Sequence, residues 1–297
     1  MLYWFGVELN PLEKDLIKYF QAGVETIEGR NSMAIIHYTS LLESNLLDEQ
    51  LLKEIRLELS KLYLDSGNYS ASLKYLTKME ENNETIRLKF LAYRGLKDYK
   101  NEYKTLQKFI SQTDDIRFWN SFIDASIRIG KSKMEIDTSS ILNRLNNKTT
   151  FSQFYQLFKR YRMRYQIALI IDTAYRKGLI SDMRLIDEAI SIYQELLATN
   201  RVENLLEEIT KKEKIPKYLL LLSNIKIEMG EFESSLKILD EVEEIAPSIG
   251  EIYLQRGDIL FFQKDYLGAR REWFKALKDE KSRKKASNKL EMVKSFL

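Results

Sequence analysis

The sequence predicts an all-α fold in which antiparallel helix pairs stack into a solenoid. Three observations predict it. The 297 residues include only 11 Gly and 3 Pro, the residues that antiparallel β folds consume at their turns. Leu, Ile, Glu and Lys, which favour helix, are abundant. Near the C-terminus the chain repeats itself every 34 residues: Phe232 pairs with Tyr266, Ser235 with Ala269, Leu239 with Trp273 and Val242 with Ala276. A period of that length marks an array of helical repeats.

Composition bounds the remaining classes. A hydrophobic fraction of 44% with 31% charged residues is that of an ordered, soluble chain. A solenoid of this length counts as one domain, residues 1–297, made of about seven helix pairs. There is no Cys, which excludes disulfides and thiolate metal sites. The opening Met1-Leu2-Tyr3-Trp4-Phe5-Gly6 is apolar but short. It has no basic flank and meets Glu8 at once, so it does not read as a signal peptide. No apolar run approaches the ~20 residues of a membrane span; the run at Ile167–Ile171 stops at Asp172. A cytoplasmic protein without membrane contact is expected. The net charge of +3 does not by itself point to nucleic acid.

The elements follow in order along the chain. Asn10-Pro11-Leu12-Glu13 supplies an N-cap, a Pro at the first helical position and a capping-box acid. Gly29-Arg30-Asn31 is a turn before Ala34, Tyr38 and Leu41; Gly67-Asn68-Tyr69 is another, before Ser72, Leu76 and Met79. Lys97-Asp98-Tyr99 repeats it after 30 residues, implying a shortened helix between them. Gly130-Lys131-Ser132 marks a further turn. Asn146-Asn147-Lys148-Thr149-Thr150 is the most polar loop and the expected hinge, near 146–150. One long helix is expected from Phe151 to Lys177, with Phe154, Phe158, Tyr161, Tyr165, Ala168 and Leu169 along one face. Ala189, Tyr193 and Leu196 fit a second helix after an enlarged turn from Gly178 to Asp187. Pro216 and Pro247 sit where one repeat hands over to the next. A basic, polar-sided helix over 282–297 closes the array as a capping helix.

The clearest repeats, over 216–280, resemble the tetratricopeptide repeat (TPR) family. That family's pattern has a small residue in the first helix and Gly-Asp/Asn-Tyr/Phe at the turn. Small, aromatic and small residues follow in the second helix, with Pro at the end. Ser223, Gly230-Glu231-Phe232, Ser235, Leu239, Val242 and Pro247 fill those places, and Gly257, Lys264-Asp265-Tyr266, Ala269, Trp273 and Ala276 fill them again. The pattern serves close packing. Small residues let two helices approach, and the aromatic residue after the turn fills the wedge between them. The resemblance is fullest at 216–280, partial at 12–110 and thinnest at 115–215. It implies a right-handed α-α superhelix whose first helices line a concave groove. The implied function is a non-enzymatic scaffold or adaptor that binds a protein or peptide and needs no cofactor.

The residues offer little else in the way of chemistry. His37 is the only His, so His/Cys metal sites and Ser-His-Asp machinery are excluded unless it serves; a packing or surface role is expected for it. Asp240, Glu241, Glu243 and Glu244 read as a solvated helix face and not a cation site. Gly130-Lys131-Ser132 imitates the end of a phosphate-binding loop, but Ala125 stands where that loop requires Gly. The eight acids between Glu228 and Glu251, and the ten bases from Arg270 onward, are expected to compensate each other. A second reading is a nucleic-acid-associated regulator that uses a basic helix at 159–164 (Lys159, Arg160, Arg162 and Arg164 among tyrosines) with the basic C-terminal tail. Against it, the tyrosines fall on the apolar stripe and the bases face largely away.

The resemblance implies one candidate site. Some TPR domains grip the C-terminal carboxylate of a peptide with Lys and Asn four apart in one first helix, Asn in the next, and Lys and Arg four apart in a third. The matching positions here are Leu220, Asn224, Gln255, Lys285 and Lys289. Asn224 and Lys285 fit, Lys289 replaces Arg, Gln255 replaces Asn and Leu220 departs from the pattern. Ammonium and amide donors converging in a groove suit a carboxylate. The expected ligand is an acidic C-terminal segment held by Asn224, Gln255, Lys285 and Lys289.

Overall fold

The computed structural model describes residues 9–297; the apolar opening stretch, with its expectation of no signal peptide, lies outside the described residues. Two compact units divide at Leu145/Asn146. The first holds α1 (Pro11–Ile27), α2 (Asn31–Leu41), α3 (Glu49–Asp65), α4 (Tyr69–Leu76), α5 (Asn83–Gly95), α6 (Tyr99–Ile110), α7 (Ile116–Arg128) and the short α8 (Ser139–Arg144). The second holds α9 (Lys148–Arg160), α10 (Arg164–Arg176), α11 (Met183–Glu195), α12 (Thr199–Lys212), α13 (Pro216–Glu228), α14 (Phe232–Ile245), α15 (Gly250–Phe262), α16 (Tyr266–Ala276) and α17 (Glu280–Val293). The described residues contain no strand. No helix among them is long and apolar enough to cross a membrane.

Local chemistry sets the boundaries. Asn10 accepts from the Glu13 amide at 2.9 Å while Glu13 returns a bond to the Asn10 amide at 2.8 Å, the reciprocal cap its sequence predicts. Helix reversals at Gly29, Gly67, Gly130 and Gly230 place the glycine in the left-handed region, where a Cβ is costly. Lys97, Arg162, Leu197 and Lys264 take the same conformation without being glycine, at φ of 58°, 53°, 55° and 66°. These eight positions, each just after the first helix of a pair, recur at steps of 30 to 38 residues and trace the repeat through the stretch where side-chain matches are thinnest; Gly178, also left-handed, falls between the pair α9/α10 and the pair α11/α12.

The small residues meet as packing requires. The Ser223 and Ser235 hydroxyls lie 2.8 Å apart between α13 and α14. Ser72 on α4 donates to the Ser60 carbonyl of α3 at 2.8 Å. Ala22 faces the same role on α1, opposite Ala34 on α2, and all six are buried. At Gly257 the α16 ring of Trp273 comes so close that a Cβ would stand 2.4 Å from it. First helices also meet first helices. α3 lies beside α5 in the N-terminal unit, and α13 beside α15 and α15 beside α17 in the C-terminal unit.

Three expectations in the middle of the chain are corrected. The long helix from Phe151 to Lys177 is two helices, α9 and α10, which reverse at residues 161–163 with Arg162 left-handed. Its apolar stripe continues across the reversal because both helices bury that face: Phe154, Phe158 and Ala168 are fully buried. The polar run 146–150 is mostly helix, since Asn147 caps α9 through the Thr150 amide at 2.8 Å and the helix begins at Lys148. The segment before α11 ends at Asp182, shorter than the turn expected to reach Asp187, and α11 buries Ala189 and Tyr193 completely. The terminal helix starts slightly earlier than expected, at Glu280 behind Asp279.

Candidate functional site

The residues predicted to hold a carboxylate lie on α13, α15 and α17, three first helices side by side. Asn224 is half-buried on α13, and its amide donates to Glu228 Oε1 at 2.8 Å, one turn along the same helix. Gln255 on α15 is buried, and its Nε2 donates to the Leu220 carbonyl of α13 at 3.1 Å. Its amide therefore ties two helices together and is not offered to a ligand.

On α17, Lys285 is exposed and its ammonium stands 3.2 Å from Glu251 Oε2 on α15. Lys289 pairs with Asp258 Oδ1 at 2.7 Å and lies over the Trp273 ring, 5.5 Å from its centroid. Asp258 also accepts from the Trp273 indole N–H at 3.0 Å. Burial pushes the Asp258 carboxyl above its usual range, against the pull of Lys289 and of the indole. The two cations of the predicted site thus already face carboxylates of the adjacent helix. No hydrogen bond or ion pair among the described residues joins Asn224 to either lysine.

Below the lysines, Asp279 fixes where α17 begins. Its carboxylate accepts from the Ser282 hydroxyl at 2.8 Å, the Gly250 amide at 3.0 Å and the Lys281 amide at 3.1 Å. These bonds, led by the Ser282 hydroxyl, hold its carboxyl below the ordinary aspartate range. One side chain therefore caps α17 and anchors the first residue of α15.

Other sequence-predicted residues take ordinary places. His37 Nδ1 lies 2.9 Å from Glu25 Oε2 between α2 and α1. Asp240 and Glu243, read as a solvated face, both hold Arg256, each at 2.6 Å. The basic helix at 159–164 does not exist as one helix. Lys159 and Arg160 end α9, Arg162 sits in the reversal and Arg164 opens α10. Lys159 reaches the Tyr155 hydroxyl at 3.1 Å, and Arg164 pairs with Glu195. The sequence indicated a continuous basic face because spacing alone cannot show a reversal made by a non-glycine residue.

Sequence reasoning missed the carboxylate partners and a cavity in the other unit. Glu251 and Lys285 stand one 34-residue period apart, so a search for opposite charges one repeat apart finds them. In the N-terminal unit Arg87, Phe90, Leu91, Arg94, Arg117, Phe118 and Ser121 line a cavity of about 220 Å³ between α5 and α7. No short motif signals it, because its halves come from two helices about 30 residues apart.

Helix pairs closed on small residues, with first helices side by side, define a helical-repeat protein of TPR-like architecture. No protein family and no curated protein matches the sequence. Among solved structures, the chain is similar to a tetratricopeptide repeat protein from Parabacteroides merdae, at 12% identity, with 94% of this chain and 98% of that chain covered and a TM-score of 0.39. It is also similar to yeast Tom70, at 12% identity, 96% and 69% coverage and a TM-score of 0.36. A third is the TPR2AB domain of yeast Sti1, solved as a complex with pHSP90, at 12% identity, 95% and 98% coverage and a TM-score of 0.31. The likeness is one of helix-pair architecture; the fold described above rests on this chain's own helices.

Proposed function

We propose that the chain is a non-enzymatic, cytoplasmic scaffold that binds a protein or peptide along its side-by-side first helices. One observation supports this reading: α13, α15 and α17 lie side by side, and two lysines of α17 pair with carboxylates of α15. The backbone groups inside these helices are spent on the helices themselves, so such a face acts through side chains, and its chemistry is recognition. The finer reading is an acidic C-terminal segment whose carboxylate takes Lys285. An exposed ion pair contributes little, so exchanging Glu251 for a partner's carboxylate costs little. Asn224 is the neighbouring amide donor; Gln255 spaces the helices; Lys289 stays with Asp258.

Fluorescence anisotropy with a labelled acidic peptide tests the reading, comparing a free C-terminus with an amidated one. Lys285→Ala is expected to weaken the free-carboxylate peptide by up to ~1 kcal/mol, the range for an exposed ion pair. Equal binding of the two peptides rejects the terminal carboxylate as the recognised group. Cell fractionation tests the location.

A further inference from the structure

The cavity between α5 and α7 differs in chemistry from the paired face of the C-terminal unit. Arg87, Phe90, Leu91 and Arg94 share one face of α5, and Arg117, Phe118 and Ser121 share one face of α7. Three guanidinium groups line it and no carboxylate does. Its floor is apolar: Phe90 and Phe118 are buried and meet edge to face at 5.9 Å.

The three cations are not equivalent. Arg94 lies over the Phe90 ring at 5.5 Å and pairs with Glu102 at 2.6 Å. Glu102 is fully buried on α6, at the place where the other second helices carry Ser72, Ser235 or Ala269. A buried carboxylate must be paired, so the charge of Arg94 is committed. Arg117 makes a fork on Asp115, Nε at 3.0 Å and Nη2 at 2.6 Å. Arg87 is exposed, with no ion pair or side-chain hydrogen bond among the described residues. The rim therefore carries one guanidinium without a direct hydrogen-bond or ion-pair partner, Arg87, which feels Asp115 through space, beside an apolar floor.

We propose that this cavity docks an acidic peptide: one apolar side chain enters over Phe90, Leu91 and Phe118, and a neighbouring carboxylate takes Arg87 as a two-bond fork. The proposal rests on the reading of the protein as a peptide-binding scaffold and adds a site and a ligand class to it. A free small anion gains nothing from the apolar floor. Single-stranded nucleic acid needs exposed ring faces for its bases, and both rings here are buried against neighbouring aromatics. Phe118 also packs on Phe109, at 4.9 Å.

The test uses the full chain and a fluorescein-labelled octapeptide of alternating leucine and aspartate. The peptide is amidated at its C-terminus, so it offers no terminal carboxylate to Lys285. Anisotropy titration is expected to show binding that Arg87→Glu weakens by about tenfold or more, the equivalent of one charged hydrogen bond. Leu91→Gln is expected to weaken it severalfold, with helical circular dichroism and melting retained in each variant. Replacing the aspartates by asparagine is expected to cost as much as Arg87→Glu. The proposal is overturned by unchanged affinity in Arg87→Glu, by equal binding of the asparagine peptide, or by an Arg87-dependent oligothymidine complex tighter than the peptide complex. Lys285-dependent binding of a free-carboxylate peptide together with no Arg87 effect removes this site and leaves the scaffold reading standing. No peptide binding to either unit removes both.

Discussion

Gln255 donates its side-chain amide to the main-chain carbonyl of Leu220 at 3.1 Å, so two positions of the expected carboxylate grip are bonded to each other. The bond leaves Gln255 Oε1 buried without a hydrogen-bond partner, which costs desolvation energy without return.

Gln255→Met tests this role. Met is close in volume, removes the unpartnered oxygen and gives up one bond to a carbonyl on α13. Urea unfolding is expected to show a change within ~1 kcal/mol of wild type, since a volume-conserving swap in a packed site is tolerated. Affinity for an acidic peptide is expected to stay the same. A large loss of affinity with stability intact would return Gln255 to the list of ligand contacts.

Gly257 and Ala269 test the packing register. A Cβ at Gly257 meets Trp273 Cδ1 and Nε1, both at 2.4 Å. The ring cannot swing away freely, because its N–H donates to the Leu254 carbonyl at 3.1 Å and to Asp258 at 3.0 Å. Gly257→Ala and Ala269→Leu are each expected to destabilise by about 1–3 kcal/mol through overpacking, read by thermal melting. The near-ultraviolet dichroism of Trp273 should change with Gly257→Ala.

The array was legible in the sequence where side-chain types repeat, as in Gly257/Ala269/Trp273, because those residues are chosen by close packing and little else fits. It was illegible where backbone conformation carries the repeat without its usual residue. Arg162 and Leu197 take the left-handed turn that Gly67 and Gly230 take elsewhere, and no residue type announces it. The candidate residues were legible as to helix, because the period places Lys285 and Lys289 on one first helix. Their partners were not, because Glu251 and Asp258 pair across helices and pattern matching within one helix does not see them.

Asp279 gives the fold a pH dependence whose sign is fixed. Its carboxyl is held below 3.8 in the folded chain by the bonds from Ser282, Gly250 and Lys281. A depressed folded pKa contributes stability that is fully present above the unfolded value and is lost as pH falls through the folded value. Asp279→Ala is expected to cost about 0.5–2 kcal/mol at neutral pH, the range for losing an N-cap. The gap between wild type and variant should close as pH drops below 3.8. Urea unfolding series at neutral and strongly acidic pH check it; a gap that widens in acid contradicts the assignment.

Arg162 separates two structures of the chain's middle by the sign of one measurement. It is exposed and left-handed, at φ 53°, a conformation that costs an L-residue roughly 1–2 kcal/mol. Glycine adopts it freely, at the price of about 0.5–1 kcal/mol in lost chain freedom. Arg162→Gly is therefore expected to leave stability level or raise it by up to ~1 kcal/mol. Had residues 151–177 formed one helix, the same glycine would sit in a helix interior and lower stability by ~1 kcal/mol. Leu197 supplies the control: it is left-handed at φ 55° with its side chain 87% exposed, so Leu197→Gly forfeits little burial. Chemical denaturation of the two variants beside wild type is sufficient. Parallel shifts toward higher midpoints, or none, support the reversals at both places. A loss at Arg162 alone would restore the continuous helix and with it the single basic face at 159–164.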